Sequence, residues 1–352
     1  MSLLDETRAA IAPVDPAIAA AVQQRLDDKT KPRRSLGRLE DLACQVAAMR
    51  GTPAPELPVK AIVVMGADHG VAAEGVSAYP QEVTRQMLLN FARGGAAINV
   101  LARQVDARLL VVDVGVREPL PALPEIRVRR VGPGTSNIAC GPAMSRAQVC
   151  TALECGIAIA KELARDGITL VGIGDMGIGN TTVASALTAL FTGAPVEAVT
   201  GRGTGVDDAG VQRKVDAIRR AFAVNRPDAA APLDALAKMG GFEIAGLAGV
   251  VLGCAASRVP VMLDGFITGA AALAAVRLAP PAAGYLVASH QSVEAGHRVL
   301  LEALGLQPLL DLALRLGEGS GAALAMPLVE AALHILHEMA TFAGAGVSDS
   351  GA

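Results

Sequence analysis

Residues 168–187 read ITLVGIGDMGIGNTTVASAL. Ile168 to Gly174 is a short apolar run without polar alternation, and it passes through glycines into a helix-forming segment. Strands buried on both faces have this pattern, and parallel sheets bury both faces. Four more runs follow the same plan: Ala61–Gly66 before Asp68-His69-Gly70, Leu109–Val114 before Gly115, Val259–Leu263 before Asp264-Gly265, and Tyr285–Ala288 before Ser289-His290. The intervening segments are long enough for crossover helices, and within the unit from Asp264 to Gly284 the stretch FITGAAALAAVRLAPP reads as one helix stopped by prolines. The expected fold is α/β: a doubly wound, mainly parallel sheet flanked by helices. Ligands in such folds bind at the carboxyl ends of the strands, where each polar-glycine cluster falls.

The two ends of the chain read differently. Leu39, Leu42, Val46 and Met49 recur at helical spacing, as do Leu328, Ala332, Ile335, Met339 and Phe342, with Pro327 suited to a helix's first turn. Each stripe needs a partner surface. The expectation is a small helical domain built from both termini (1–55 and 322–352) beside a large α/β domain over 56–321.

Composition narrows the function. Among 352 residues, 31 are basic and 34 acidic, for a net charge of −3, and aromatics are 2% with no Trp. So few stacking platforms and so little positive charge argue against nucleic acid or an acidic membrane surface as partner. Residues 244–257 run into Arg258 and residues 259–276 contain Asp264, so no membrane span is expected. The start, MSLLDETRAAIAP, lacks the basic-then-apolar order of a secretion signal. Cys44, Cys140, Cys150, Cys155 and Cys254 form no CxxC pair. They read as reduced thiols in a small-residue core, in a cytoplasmic protein.

Gly172, Gly174 and Gly177 satisfy G-x-G-x-x-G between a strand and a helix. Glycines permit close backbone approach, and Asn180, Thr181 and Thr182 at the helix start suit a phosphate; a tight βα turn with a helix cap is the alternative. A second glycine loop, TGRGTGVDDAG, follows with Arg202, Asp207 and Asp208. Two such loops with one arginine suit a monophosphate better than a dinucleotide. Asp68-His69 reads equally as a structural contact or as a catalytic one, and without a second ligand pair at proper spacing no metal site is expected. Ser77, Tyr79 and Gln86 suit the wall of a planar ligand. Glu318, between Gly317 and Gly319 before a short helix, is a desolvated carboxylate suited to accept a proton, or alternatively one placed to complement the helix dipole. Ser289-His290-Gln291-Ser292 with Glu294 and His297 lacks a hydrolase elbow and reads as capping and binding. His334 and His337 read as a solvated helix face.

In order, KPRRSLGRLE, ADHGVAAEGVSAYPQEVTRQM, NFARGGAAINVLA, GTSNIACGPAMS, MGIGNTTVASAL, GRGTGVDDAG, VPVMLDGFITGAAALAA, SHQSVEAGH and GEGSGAALAMPL resemble the nicotinate-nucleotide:dimethylbenzimidazole phosphoribosyltransferase family over nearly the whole chain. The resemblance implies a homodimer, with no metal and no cofactor. It implies transfer of 5-phosphoribose from nicotinate mononucleotide to 5,6-dimethylbenzimidazole with inversion at C1′, giving nicotinate and α-ribazole 5′-phosphate for the cobalamin lower ligand. It matches Glu318 to the catalytic base, and Ser77, Tyr79 and Gln86 to part of the benzimidazole pocket. Asp175, Met176, Gly177, Gly179, Asn180 and Thr181, with Arg202, Gly203, Thr204, Gly205 and Asp207, match the phosphate and ribose contacts. Asp264, Ser289, His290 and Gly317 complete the substrate site. Two positions depart from the family pattern: Arg33-Arg34 replaces Pro-Gly, and Asp175 replaces Glu. Two other readings of the chain are a nicotinamide-dinucleotide-dependent dehydrogenase using the GIGDMG loop and a non-catalytic nucleotide or benzimidazole sensor.

Overall fold

The structure, a computed structural model, describes residues 1–348; residues 349–352 of the expected carboxyl-terminal segment lie outside the described residues. Three helices, α1 (Leu3–Ala10), α2 (Pro16–Asp27) and α3 (Arg38–Arg50), precede β1 (Lys60–Ala67). Then come α4 (Glu82–Ala92), α5 (Ala97–Gln104), β2 (Ala107–Gly115), β3 (Ile126–Val128), α6 (Arg146–Arg165) and β4 (Leu170–Met176). The next group is α7 (Asn180–Thr192), α8 (Val196–Val199), α9 (Asp208–Asn225), α10 (Pro232–Met239), α11 (Phe242–Ala256) and β5 (Val261–Leu263). The chain ends with α12 (Phe266–Leu278), β6 (Leu286–Ala288), α13 (Ala295–Leu304), α14 (Ser320–Glu338) and α15 (Phe342–Ala345).

Six strands form one sheet in the order β3-β2-β1-β4-β5-β6, and every pairing is parallel. This is the expected α/β sheet. Each apolar run became a strand, and β1 is buried along its whole length because helices cover both faces. The pattern missed β3, whose three residues are too short and too charged to stand out from a loop. The order reverses between β1 and β4, so the loops after these strands diverge to opposite sides and leave a crevice between them. The helix expected over FITGAAALAAVRLAPP is α12, which stops at Leu278 just before the two prolines, and a 3-10 turn over Pro280–Tyr285 takes these up.

Scarce aromatics have a packing counterpart. Helices α6 and α11 approach so closely that a Cβ on Gly156 would stand 1.9 Å from the Gly246 carbonyl oxygen and 2.7 Å from the Val250 nitrogen. Only small residues permit this contact.

Helices α2 and α3 lie together, and α3 runs against α14. Lys31 and Glu40 of KPRRSLGRLE form a buried ion pair at 2.9 Å beside them. Helix α1 goes elsewhere, onto α6 and α11, where Tyr285 donates its hydroxyl to the Ala12 carbonyl at 2.9 Å. Arg34 has φ 61°, in the left-handed region that favours glycine, with its guanidinium on Asp41 at 2.6 Å.

Four sequence expectations need correction. Pro327 does not open a helix: α14 starts at Ser320 and runs through it, because the helix is capped upstream by a distant carboxylate described below. For the same reason no short helix follows Glu318. Helix α14 is also long and apolar enough to cross a membrane, contrary to the expectation that no segment would be; 56% of its apolar window is buried against the sheet and α3. Finally, only Cys44 and Cys254 are core residues, with burial pushing the Cys254 thiol up to about 12; Cys150 and Cys155 are half-buried and Cys140 is exposed.

Gly156→Ala is expected to lower unfolding free energy by about 1–3 kcal/mol or to prevent folding, since backbone must move to admit the methyl group. Urea denaturation measures this, and an unchanged midpoint would rule out the close approach.

Candidate active site

The carboxyl end of β4 carries Asp175 and Met176, and the chain then turns through Gly177, Ile178 and Gly179 into α7. The Ile178 N–H donates to Thr84 Oγ1 of α4 at 3.1 Å, which fixes this loop against the neighbouring crossover. Around it lies a cleft of about 620 Å³, counting the part open to solvent. Of the expected residues, Asp175, Met176, Gly177, Asn180, Thr181, Gly203, Thr204, His290 and Gly317 line it, joined by Ser292, Glu294 and Arg315. The size is within the usual range for small-ligand sites, about 300–1,000 Å³.

Two cations stand at one end of the cleft: Arg315, which lines it, and Lys214, which does not but bonds the cleft residue Thr181. Lys214 of α9 is fully buried, and its Nζ donates to Thr181 Oγ1 at 2.9 Å and to the Gly201 carbonyl at 3.0 Å. Burial pulls its pKa down to about 8, with Glu294 working in the opposite direction. Arg315 reaches the same glycine loop, Nη1 lying 3.4 Å from the Gly203 carbonyl. A buried ammonium, a guanidinium and the amino end of α7 converge here, as a phosphate requires. The sequence reading missed both cations. Lys214 did leave a signal: it shares the buried face of α9 with Ala217, Ile218 and Ala221, where a lysine has no reason to be unless it is used. Arg315 left none.

At the other end Asp175 lines the cleft, and two further acids, Asp264 and Glu318, are buried beside the cleft residues Gly265 and Gly317. Asp264, at the end of β5, is 1% exposed. Its Oδ1 accepts the Gly321 N–H at 2.6 Å and its Oδ2 the Gly319 N–H at 2.9 Å. It thereby caps α14 from a different strand. The cap holds Gly317, Glu318 and Gly319 in three successive left-handed conformations, φ 83°, 65° and 90°. For Glu318 this costs about 1–2 kcal/mol. The turn rests on β4, where a Cβ on Gly174 would stand 2.3 Å from the Gly319 nitrogen.

Glu318 is 5% exposed, and its Oε2 faces the Ile98 N–H at the start of α5, at 3.4 Å. It therefore does not complement the dipole of its own helix; Asp264 does that. Burial raises the Glu318 pKa, the Ile98 N–H holds it down in part, and Asp264 adds to the rise. Asp175 is raised further, by burial first and then by the carboxylates of Asp264, Glu243 and Glu318. Its Oδ2 accepts from Asn180 Nδ2 at 2.8 Å, while Oδ1 is buried without a partner. His290 Nε2 lies 3.7 Å from Asp264 Oδ1; burial opposes its protonation, but the carboxylate outweighs burial and the pKa rises.

The remaining expected residues lie around this centre. Ser77 Oγ is 3.3 Å from Thr204 Oγ1, joining the loop after β1 to the second glycine loop across the cleft. Tyr79 and Gln86 are exposed and line no part of the cleft as described. Gly179 precedes α7 at φ 95°, and Gly205 lies beside Arg315. Arg202 turns outward to pair with Asp208, so the cation of the second loop is not the one the sequence offered. Asp207 caps α9, accepting the Gly210 N–H at 2.8 Å. Ser289 bonds back to the carbonyls of Leu263 and Asp264, a structural use. His69 pairs not with Asp68 but with Glu243, at 2.7 Å and fully buried, and Asp68 accepts the Arg117 N–H at 2.7 Å. His334 faces solvent beside Glu338, and His337 bonds the Pro55 carbonyl.

A family model described as phosphoribosyltransferase matches residues 11–347. The chain belongs to that family. A nicotinate-nucleotide–dimethylbenzimidazole phosphoribosyltransferase of Roseiflexus sp. (strain RS-1) is 58% identical over 99% of both chains. The protein of the same name from Geobacter sulfurreducens is 55% identical, again over 99% of each. The crystal structure of CobT from Thermus thermophilus superposes with a TM-score of 0.92 at 52% identity, covering 95% of this chain and all of that one.

Asp264→Ala removes the acceptor for two buried N–H groups, and a stability loss of about 2–5 kcal/mol is expected. Thermal and urea unfolding measure the loss. A variant as stable as the parent would mean that α14 does not depend on this cap.

Proposed function

We propose that the chain transfers 5-phosphoribose from nicotinate mononucleotide to 5,6-dimethylbenzimidazole, with inversion at C1′, giving nicotinate and α-ribazole 5′-phosphate. The observation that carries this reading is the pairing, about one cleft, of the buried Lys214 ammonium, bonded to the cleft residue Thr181, with the buried Glu318 carboxylate of raised pKa, next in chain to the cleft residue Gly317. Lys214, Arg315 and the loops at Gly177 and Gly203 receive the phosphate. Glu318 takes the N–H proton of the benzimidazole as its other ring nitrogen attacks C1′. The leaving pyridinium becomes neutral as its bond to C1′ breaks, so its departure needs no acid. General-base assistance supplies about 10²–10⁴ in rate, and positioning with electrostatic stabilisation of the cation-like sugar supplies the rest. The carboxylates around Asp175 suit that charge. Ser77, Tyr79 and Gln86 belong, in this reading, to the acceptor's side. The reading includes the small helical domain, now with α2, α3 and α14 at its centre, and a cytoplasmic homodimer, as the family resemblance implies.

Glu318→Gln is expected to fold and to bind dimethylbenzimidazole while losing about 10²-fold or more in kcat; near-normal release of nicotinate, followed by chromatography, would remove Glu318 as the base. The pH profile gives a second check. Lys214 loses its charge near pH 8, so kcat/KM for nicotinate mononucleotide is expected to decline above that pH. Glu318 gains a proton at a pH above the ordinary carboxylate range, so the acid limb begins higher than for an exposed glutamate. A profile flat through pH 9 would remove Lys214 from substrate binding. If the melting temperature rises with NAD and not with nicotinate mononucleotide, the dehydrogenase reading takes precedence.

A further inference from the structure

Glu294 lines the cleft, is 8% exposed, and has no assigned use. It occupies the residue before α13, where a carboxylate would ordinarily cap the helix, yet its side chain makes no capping bond. Its own N–H donates to Ser292 Oγ at 3.3 Å, and its carboxylate is turned the other way, toward Gly201. A Cβ on Gly201 would stand 2.4 Å from Glu294 Oε2, so the chain leaves that position bare to admit the carboxylate. Oε2 is buried and has no hydrogen-bond partner. Lys214, whose charge Glu294 supports through space, already gives hydrogen bonds to Thr181 and Gly201. A buried carboxylate oxygen without a donor is costly, by about 1–3 kcal/mol or more, and a ligand that brings the donor recovers this.

The donor's chemistry follows by elimination within the proposed substrate. Near neutral pH nicotinate mononucleotide carries a phosphate, largely dianionic, a carboxylate, and a pyridinium nitrogen without hydrogen. A carboxylate repels the first two and finds no N–H on the third. The remaining donors are the two vicinal hydroxyls of the ribose, and a carboxylate has two oxygens to receive them. We infer that Glu294 reads the ribose 2′,3′-diol of the phosphoribosyl donor and so makes the enzyme selective for ribonucleotides over deoxyribonucleotides; this rests on the transferase reading above. Its position beside Lys214 fits, since the diol and the 5′-phosphate are neighbours on one sugar.

The test compares the full-length protein with Glu294→Ala and Glu294→Gln on nicotinate mononucleotide and its 2′-deoxy and 3′-deoxy analogues. The parent is expected to prefer the ribonucleotide by about 10- to 100-fold in kcat/KM, the range of a hydrogen bond to a charged group. Glu294→Ala should lose a similar factor on the ribonucleotide and little more on either deoxy analogue, which collapses the preference. Equal losses on all three substrates would instead make Glu294 a support for Lys214 and overturn the inference, as would no loss on any. Should the alanine variant not fold, Glu294→Gln preserves shape and is expected to fall between the two. Calorimetric binding of ribose 5-phosphate against 2-deoxyribose 5-phosphate repeats the comparison without turnover. Absent transfer activity would therefore count against the proposed reaction, while equal affinity of the parent for the two sugars would count against Glu294 as the reader.

Discussion

The Asp264 carboxylate is the point on which the site rests. It ends a strand only three residues long, yet it receives the first N–H groups of a helix that begins more than fifty residues later. An α-helix leaves its first four N–H groups without internal partners, and in a buried helix start these must be met. Here one side chain meets two of them and thereby fixes the turn that carries Glu318. Without that anchor, three successive left-handed residues, one of them a glutamate, would relax to an ordinary conformation. The strain at Glu318 is held by the cap, by the contact with β4 and by the Ile98 N–H together.

Charge is sorted with equal economy. Asp264, Glu243 and Glu318 all push the Asp175 pKa up, Asp264 also pushes up that of Glu318, and each of the four acids has a different local partner. Asp264 has a helix start, Glu243 has His69, Asp175 has Asn180 and a strong tendency to stay protonated, and Glu318 has a single long N–H contact. Of these four, the carboxylate with the longest and single N–H contact is the one proposed to accept a proton. On the far side of the glycine loop Lys214 is buried enough to lose its proton near pH 8. A cation so placed is poorly solvated and gains much from an arriving anion.

The sheet was legible in the sequence because parallel strands buried on both faces leave apolar runs that end in glycine, as at Ile168–Gly174. The desolvation of Glu318 was legible from its glycine and alanine neighbours. Its surroundings were not, since Asp264 and Ile98 are brought to it only by the fold. Asp264 and Ser289 sit at strand ends as ligand contacts would, yet they serve the scaffold. Arg202 and Lys214 illustrate the converse: the arginine lies in the glycine loop and turns away, whereas the lysine lies on a helix, hidden among charges of no consequence. Periodicity also misled at Pro327, because a cap supplied from elsewhere in the chain leaves no local mark.

The dependence of Glu318 on both Asp264 and α14 imposes an order on how the site comes into being. Synthesis runs from the amino end, so both glycine loops, Lys214 and Asp264 leave the ribosome before residue 318 does. Until α14 docks, Asp264 is a carboxylate awaiting its donors, and the turn that holds Glu318 has nothing to hold it. The same helix must find α3, made near the beginning of the chain. The group proposed to take the proton is therefore set in place only when the two ends of the polypeptide have met.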